Sequence, residues 1–265
     1  MANTNHLKVY DFHNCFSHKI STKLYTEIFN KEPKLVKLRC DLINEEINEL
    51  VEAINTNNIV EIIDALSDIL YVVYGYFICL GVDADKEYTN FINKNIKVYN
   101  SHSLIEDNTI TNYNKTIYIF PKINNITITH YNFNNNNYLF KNNITTLLSN
   151  IKKYNIVLKT NSNNKEFDKV VDSLLNILKY TYKFGIYIGL DLDKSFDIVH
   201  RSNMTKICET EELAIKTVKW YKNNNKYDSP SYKNSDYGFI IYNKSSNKIL
   251  KSIEYTPANF ESLLI

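Results

Sequence analysis

The chain has 265 residues, with 31 lysines and arginines against 29 aspartates and glutamates, for a net charge of +2. That length allows one or two domains with adequate cores, and the scattered basic residues form no dense stripe, which argues against a nucleic-acid partner. Cys15, Cys40, Cys79 and Cys208 show no CxxC or zinc spacing and the N-terminus has no secretory apolar region, so a reducing, cytoplasmic setting is expected.

Taken in chain order, the first strong periodicity runs from Leu35 to Ile54. Leu35, Leu38, Leu42, Ile43, Ile47, Leu50 and Ile54 recur at steps of three and four, which predicts an amphipathic helix. Asn55-Thr56-Asn57-Asn58 is turn-prone, and a second helix follows from about Ile59 to Leu80 with Gly81 as its stop. So short a connection makes the two helices antiparallel neighbours. The Ile62–Val82 stretch is apolar enough to raise a membrane question, but Asp64 and Asp68 inside it favour a buried core helix and no membrane partner.

This hairpin carries the chemistry. Between Arg39 and Lys86 there are ten carboxylates and no lysine or arginine. Five of them form Glu45-Glu46-x-x-Glu49, then eleven residues, then Glu61-x-x-Asp64. Glu45 and Glu49 share one helix face, and Glu61 and Asp64 share a face of the partner helix. A solvated helix face normally mixes signs at this spacing, since like-charge pairs cost a few tenths of a kcal/mol. Carboxylates about 6 Å apart at an effective dielectric near 20 repel by roughly 3 kcal/mol per pair. Such a cluster asks for a divalent cation, and hard oxygen ligands favour Mg²⁺, or Mn²⁺, over zinc.

Beyond this hairpin, Lys115–Phe133 alternates β-branched and aromatic residues around Pro121–Asn125, which predicts a small β-hairpin. The run Asn134–Asn137 reads as a loop tip. Sliding the chain by 108 residues then aligns it with itself: Asp64–Lys86 and Asp172–Lys194 agree at ten of 23 positions without a gap. Under this offset Glu45, Glu46, Glu49 and Glu61 fall on Lys153, Tyr154, Val157 and Lys169, so the second copy cannot assemble the acidic site. It carries instead VHRSNMTK from Val199 to Lys206, where the first copy has FINKNIKV with Asn95 retained and Val98 opposite Lys206. Acids on one copy and an Asn/Lys pair on the other suggest one composite site across a pseudo-twofold axis. A helix near Glu209–Lys222 and a second hairpin over Tyr237–Tyr255, turning near Ser245–Asn247, complete the chain. Trp220, Tyr221 and Tyr227 offer shelter for a nucleobase, though packing of the tail is the more ordinary role for such aromatics.

The EExxE…ExxD pattern, KVYDFHNCF at Lys8–Phe16, the DALSDILYVVYG helix and the VHRSNMTK segment together resemble the all-α nucleoside triphosphate pyrophosphohydrolases. That superfamily includes MazG-like enzymes, dimeric dUTPases and phosphoribosyl-ATP pyrophosphohydrolases, and the likeness is to the MazG-type proteins of phages and large viruses. The resemblance implies a mainly α, helical-bundle fold, here as an internally duplicated pseudo-dimer with small β-hairpin additions. Residues 1–100 would form a first MazG-like repeat with the acidic metal site. Residues 101–140 would be a hairpin insert or linker, 141–208 a degenerate second repeat ending in SNMTK, and 209–265 a C-terminal helix and hairpin.

By the same resemblance, Glu45, Glu46, Glu49, Glu61 and Asp64 would bind Mg²⁺, with Glu46, Glu49 and Lys206 as catalytic residues. Asn203, Lys206 and Arg201 would contact the phosphates of a nucleoside triphosphate, which is cleaved to monophosphate and pyrophosphate in cleaning the nucleotide pool. Asp68 would be either an acid supporting the metal ligands or a bundle hydrogen-bond acceptor, and His200 a structural residue. A monomeric pseudo-dimer or a homodimer, in the host cytoplasm if the chain is viral, is the implied setting. The alternatives are hydrolysis of phosphoribosyl-ATP and an inactive helical nucleotide-binding or scaffold protein.

Overall fold

The computed structural model describes the backbone of residues 4–99, 109–113, 116–120, 138–246 and 248–264, and side chains outside 94–141 and Asn247. Thr4 caps α1 (Asn5–Cys15) by accepting from the Leu7 amide. A single turn, α2 (Ile28–Lys31), leads through Pro33, well placed at a helix start where its missing N–H is not needed, into α3 (Pro33–Asn55). Asn58 then caps α4 (Ile59–Leu80) by accepting from the Glu61 amide at 3.3 Å, and Gly81 ends it in the left-handed conformation at φ +71°. After α5 (Ala84–Tyr99) come β1 (Thr109–Tyr113) and β2 (Thr116–Phe120), then α6 (Tyr138–Asn163) and α7 (Phe167–Tyr187). Asp191 caps α8 (Leu192–Met204), and Thr210 caps α9 (Glu211–Asn223). The chain closes with β3 (Pro230–Ser235), β4 (Gly238–Asn243) and a short 3₁₀ turn at Glu261–Leu263.

The molecule is mainly helical with small β additions, as expected. Two helical hairpins, α3–α4 and α6–α7, pack into one shared hydrophobic core running from Val9 to Phe260. The centre of that core is α4. It is long and apolar enough to cross a membrane, yet 83 % of its most apolar stretch is buried within the protein, against α1, α3, α7 and α8. A helix apolar on nearly every side belongs in such a centre.

Contacts across the bundle follow the 108-residue offset. Tyr74 and Tyr182, which are offset partners, place their hydroxyls 3.4 Å apart, and each reaches a carboxylate eleven residues on, Asp85 at 3.1 Å and Asp193 at 3.3 Å. The ring pairs repeat as well: Tyr74 meets Phe196 at 5.8 Å while Tyr182 meets Tyr88 at 5.5 Å.

The expected tail hairpin is present in part, and of the first expected hairpin only the opening strand lies among the described residues. Thr116–Phe120 is a strand, but its antiparallel partner is the preceding segment, with Thr109 opposite Phe120. The TITNY stretch is likewise rich in β-branched and aromatic residues. The expected turn at Pro121–Asn125 and the run Asn134–Asn137 lie outside the described residues. In the tail the regular ladder pairs β3 with β4, with Pro230 opposite Asn243. Proline at the first position of a strand costs the ladder little. The return after Ser245 is shorter than expected, an isolated bridge between Tyr242 and Ile249. The two hairpins form separate sheets. Around β3, β4 and α9 a second, smaller core gathers Cys208, Ala214, Val218, Tyr221, Ile241 and Leu250. The aromatics offered above as a base shelter belong to this tail: Tyr221 is buried in it, Tyr227 packs against it, and Trp220 is 44 % exposed.

Residues 17–27 strap onto the end of α4 through Ser21 N–H to Ile78 O and Tyr25 N–H to Leu80 O. A Cβ at Gly81 would sit 1.9 Å from the Lys23 carbonyl oxygen, in a backbone conformation that L side chains rarely adopt. Gly81→Ala is therefore expected to cost more than the roughly 1 kcal/mol of left-handed strain alone, lowering the thermal midpoint by several degrees. An unchanged midpoint would show that the strap yields freely.

Candidate active site

The two long helices of the first hairpin bring their acids to one cavity of about 340 Å³. Glu45 and Glu46 line it from α3, and Asp64 and Asp68 from α4. Opposite them stand Asn203 at the end of α8 and Lys206 just beyond it. Lys248, Lys251 and Tyr255 of the tail close the remaining side. The tail is fastened there by the Ser252 N–H, which donates to the Lys206 carbonyl at 3.2 Å, and by the Thr256 N–H, which donates to Thr205 Oγ1 at 2.9 Å. Ser202 Oγ lies 2.8 Å from both the Tyr255 hydroxyl and the Thr256 carbonyl.

Among the described residues, none of Glu45, Glu46, Glu49, Glu61, Asp64 and Asp68 forms an ion pair with these lysines. Opposite charges line one cavity and do not close on each other. Burial and mutual repulsion therefore show in the acids. The Glu46 carboxyl is pushed up to about 9, first by burial and then by Asp68, Glu49, Glu45 and Asp64. Asp64 rises to about 6 through burial and then Glu61 and Glu49, with Lys251 and Lys206 opposing. Asp68 rises to about 7 through burial and Asp64, with Lys206 opposing. Burial holds the Lys206 ammonium below its usual value, and Asp68 is the largest influence restoring it. Glu49 is exposed and outside the cavity lining, yet its carboxyl is also raised, by burial and then by Glu45 and Glu61.

The structure thus gathers Glu45, Glu46, Asp64, Asn203 and Lys206. Glu49 and Glu61 face solvent and act on the cavity through their charge. Arg201 is exposed and is not among the lining residues. His200 takes the structural place expected of it, with Nδ1 at 3.1 Å from the Tyr71 hydroxyl. Among the described residues no three of His, Cys, Asp and Glu converge in metal-ligand geometry. The acids nonetheless fit a divalent cation in donor type and charge, since all are hard oxygen groups left without a neutralising partner. Sequence reasoning had left Asp68 undecided between two roles, although it follows Asp64 by one turn on the same face. It missed Lys248 and Lys251 altogether, because nothing local says that the tail folds over the acids.

Residues 9–95 match the family described as phosphoribosyl-ATP pyrophosphohydrolase. A relative in Acanthamoeba polyphaga mimivirus, named uncharacterized protein L479, is 34 % identical over 268 residues, covering 98 % of this chain and 96 % of its own length. No solved structure is similar enough to match.

An acid whose folded value lies above its unfolded one destabilises the fold as pH rises between the two values. For Glu46 that window runs from about 4.5 to about 9. Metal-free protein should lose thermal stability from pH 5 to pH 8, and Glu46→Gln, which mimics the protonated acid, should flatten that loss. Melting curves across this range test it, and a wild-type midpoint that is flat or rising would refute the assigned repulsion.

Proposed function

Residues 9–95 form a domain of the phosphoribosyl-ATP pyrophosphohydrolase family, within the MazG-like all-α superfamily, and on that premise we propose that the chain hydrolyses nucleoside triphosphates, deoxynucleotides foremost, to a monophosphate and pyrophosphate. The observation that carries this reading is the cavity lined by both carboxylates and lysines that, among the described residues, form no ion pairs with one another. A metal-bound polyphosphate supplies both missing partners, cation to the acids and anion to the ammonium groups.

Glu45, Glu46 and Asp64 line the cavity and would hold Mg²⁺, or Mn²⁺ in its place, with Glu49 and Glu61 turning in from the solvent at its edge to join them. When bound, the ion supplies Lewis-acid polarisation of the α-phosphate and a water of lowered pKa. Water oxygen bonds to the α-phosphorus as the α–β anhydride bond breaks, and the electron pair leaves on pyrophosphate. Glu46 and Glu49 orient the attacking water and accept its proton. Lys206, with Asn203 beside it, offsets charge developing on the phosphate oxygens, while Lys248 and Lys251 hold the outer phosphates. Lys206 comes from the second repeat, so one working site serves a chain built by tandem duplication, and the Tyr74–Tyr182 contact supports that origin. The four cysteines are all free and buried, in keeping with a reducing host cytoplasm. Phosphoribosyl-ATP is the second substrate to consider, because the matching family is named for it.

A pyrophosphate-release assay with Mg²⁺ over a panel of triphosphates and phosphoribosyl-ATP tests this. Glu49→Gln and Asp64→Asn should each lower kcat by at least about 100-fold, and Lys206→Ala by roughly 100- to 1000-fold. Wild-type protein inert on every substrate sinks the enzyme reading. Full activity in Lys206→Ala alongside an inactive Glu49→Gln sinks only the composite site.

A further inference from the structure

The cavity has a second end that the phosphate chemistry does not use. Arg39 is buried in α3 at 6 % exposure and lines this end, and among the described residues no carboxylate pairs with it. It is one of two arginines in a chain with 31 basic residues. Arginine has donors only, so its Nη2, 3.3 Å from His13 Nε2, must donate there, and the His13 Nδ1–H then donates to the Lys19 carbonyl at 2.9 Å. The Nε–H has no acceptor and is closed off from solvent, so a ligand reaches it only as the side chains over it give way. On α4 a glycine makes room for this head group: a Cβ at Gly75 would lie 3.0 Å from both Arg39 Nη1 and His13 Nε2.

The surroundings are flat and aromatic. Phe12 meets His18 at 5.7 Å and Tyr71 edge-on at 5.4 Å, and all three line the cavity. Burial and the nearby Arg39 drive His18 down to about 3, so its ring is a neutral surface. Arg39 and Glu46 are seven residues apart on α3, as are Gly75 and Asp68 on α4. At 1.5 Å rise per residue this puts the guanidinium about 10 Å from the acids. That is the reach of a nucleotide from its α-phosphate across the ribose to its base.

We propose that this end of the cavity holds the nucleobase, and that Arg39 reads a base edge with two adjacent acceptors. Guanine offers such an edge with O6 and N7, and cytosine with O2 and N3. Adenine sets its exocyclic amino group beside each ring acceptor on its pairing and major-groove edges, and thymine or uracil sets N3–H between its two oxygens. A donor-only guanidinium rejects those arrangements. The inference rests on the proposed function in taking the cavity for a nucleotide site, and it adds the base class.

Titration calorimetry of the full chain with dGMP, dCMP, dAMP, dTMP and inorganic pyrophosphate tests it, alongside pyrophosphate release from the matching triphosphates. Wild type should bind dGMP or dCMP about 10- to 100-fold more tightly than dAMP and dTMP. Arg39→Lys, which keeps the charge and loses the planar fork, should bring the four within a few-fold of one another. Equal wild-type affinities overturn the proposal whether or not the variant folds. An equal loss for all four monophosphates and pyrophosphate in Arg39→Lys also overturns it, since Arg39 would then serve phosphate or the fold. Base-selective binding without hydrolysis of any triphosphate would remove the catalytic reading and leave this one standing.

Discussion

Charge held apart across a small cavity is the constraint on which the rest of this structure depends. In a cavity of about 340 Å³, Glu45, Glu46, Asp64 and Asp68 face Lys206, Lys248 and Lys251 with no ion pair between them. Left alone, a partly buried carboxylate either finds a cation or takes up a proton. Burial and neighbouring acids raise the carboxyls of Glu46 and Asp68 toward the second outcome in the chain by itself. The acids sit on the α3–α4 hairpin, and the lysines just beyond α8 and in the tail strapped to it. Each set is positioned by the packing of its own segment.

That packing is where the stability resides. Sixteen residues of α4 are buried, most of them apolar, and they anchor the helix while it carries two acids at the cavity. Burying an aliphatic or aromatic side chain contributes roughly 1.5–3 kcal/mol. The apolar length of α4 therefore outweighs the repulsion between Asp64 and its neighbours. The offset contacts of Tyr74, Tyr182, Tyr88 and Phe196 lie in the same core, between the two hairpins. Those contacts join the lysine-bearing part of the chain to the acid-bearing part.

Much of the fold was legible from local pattern. The Ile59–Leu80 helix matched its expected bounds, because Asn58 and Gly81 are strong start and stop residues on either side of an unbroken apolar run. The strands were placed less well. Thr116–Phe120 and Gly238–Asn243 each had two plausible partners, one before and one after in the chain, and alternation alone does not choose between them.

The acids were determined by the sequence alone. Spacing of three and four on a helix named Glu45, Glu46, Glu49, Glu61 and Asp64 as one group before any fold was known, but it does not say which of them reach a common cavity. What only the tertiary structure decided is the other half of the site. Helix rotation left Glu49 and Glu61 in solvent and Arg201 outside the cavity, while burying Arg39 against Gly75. The route of the tail brought in Lys248 and Lys251 from nearly two hundred residues beyond the acids. Both depend on contacts between segments far apart in the chain, and periodicity, which counts only near neighbours, does not record them.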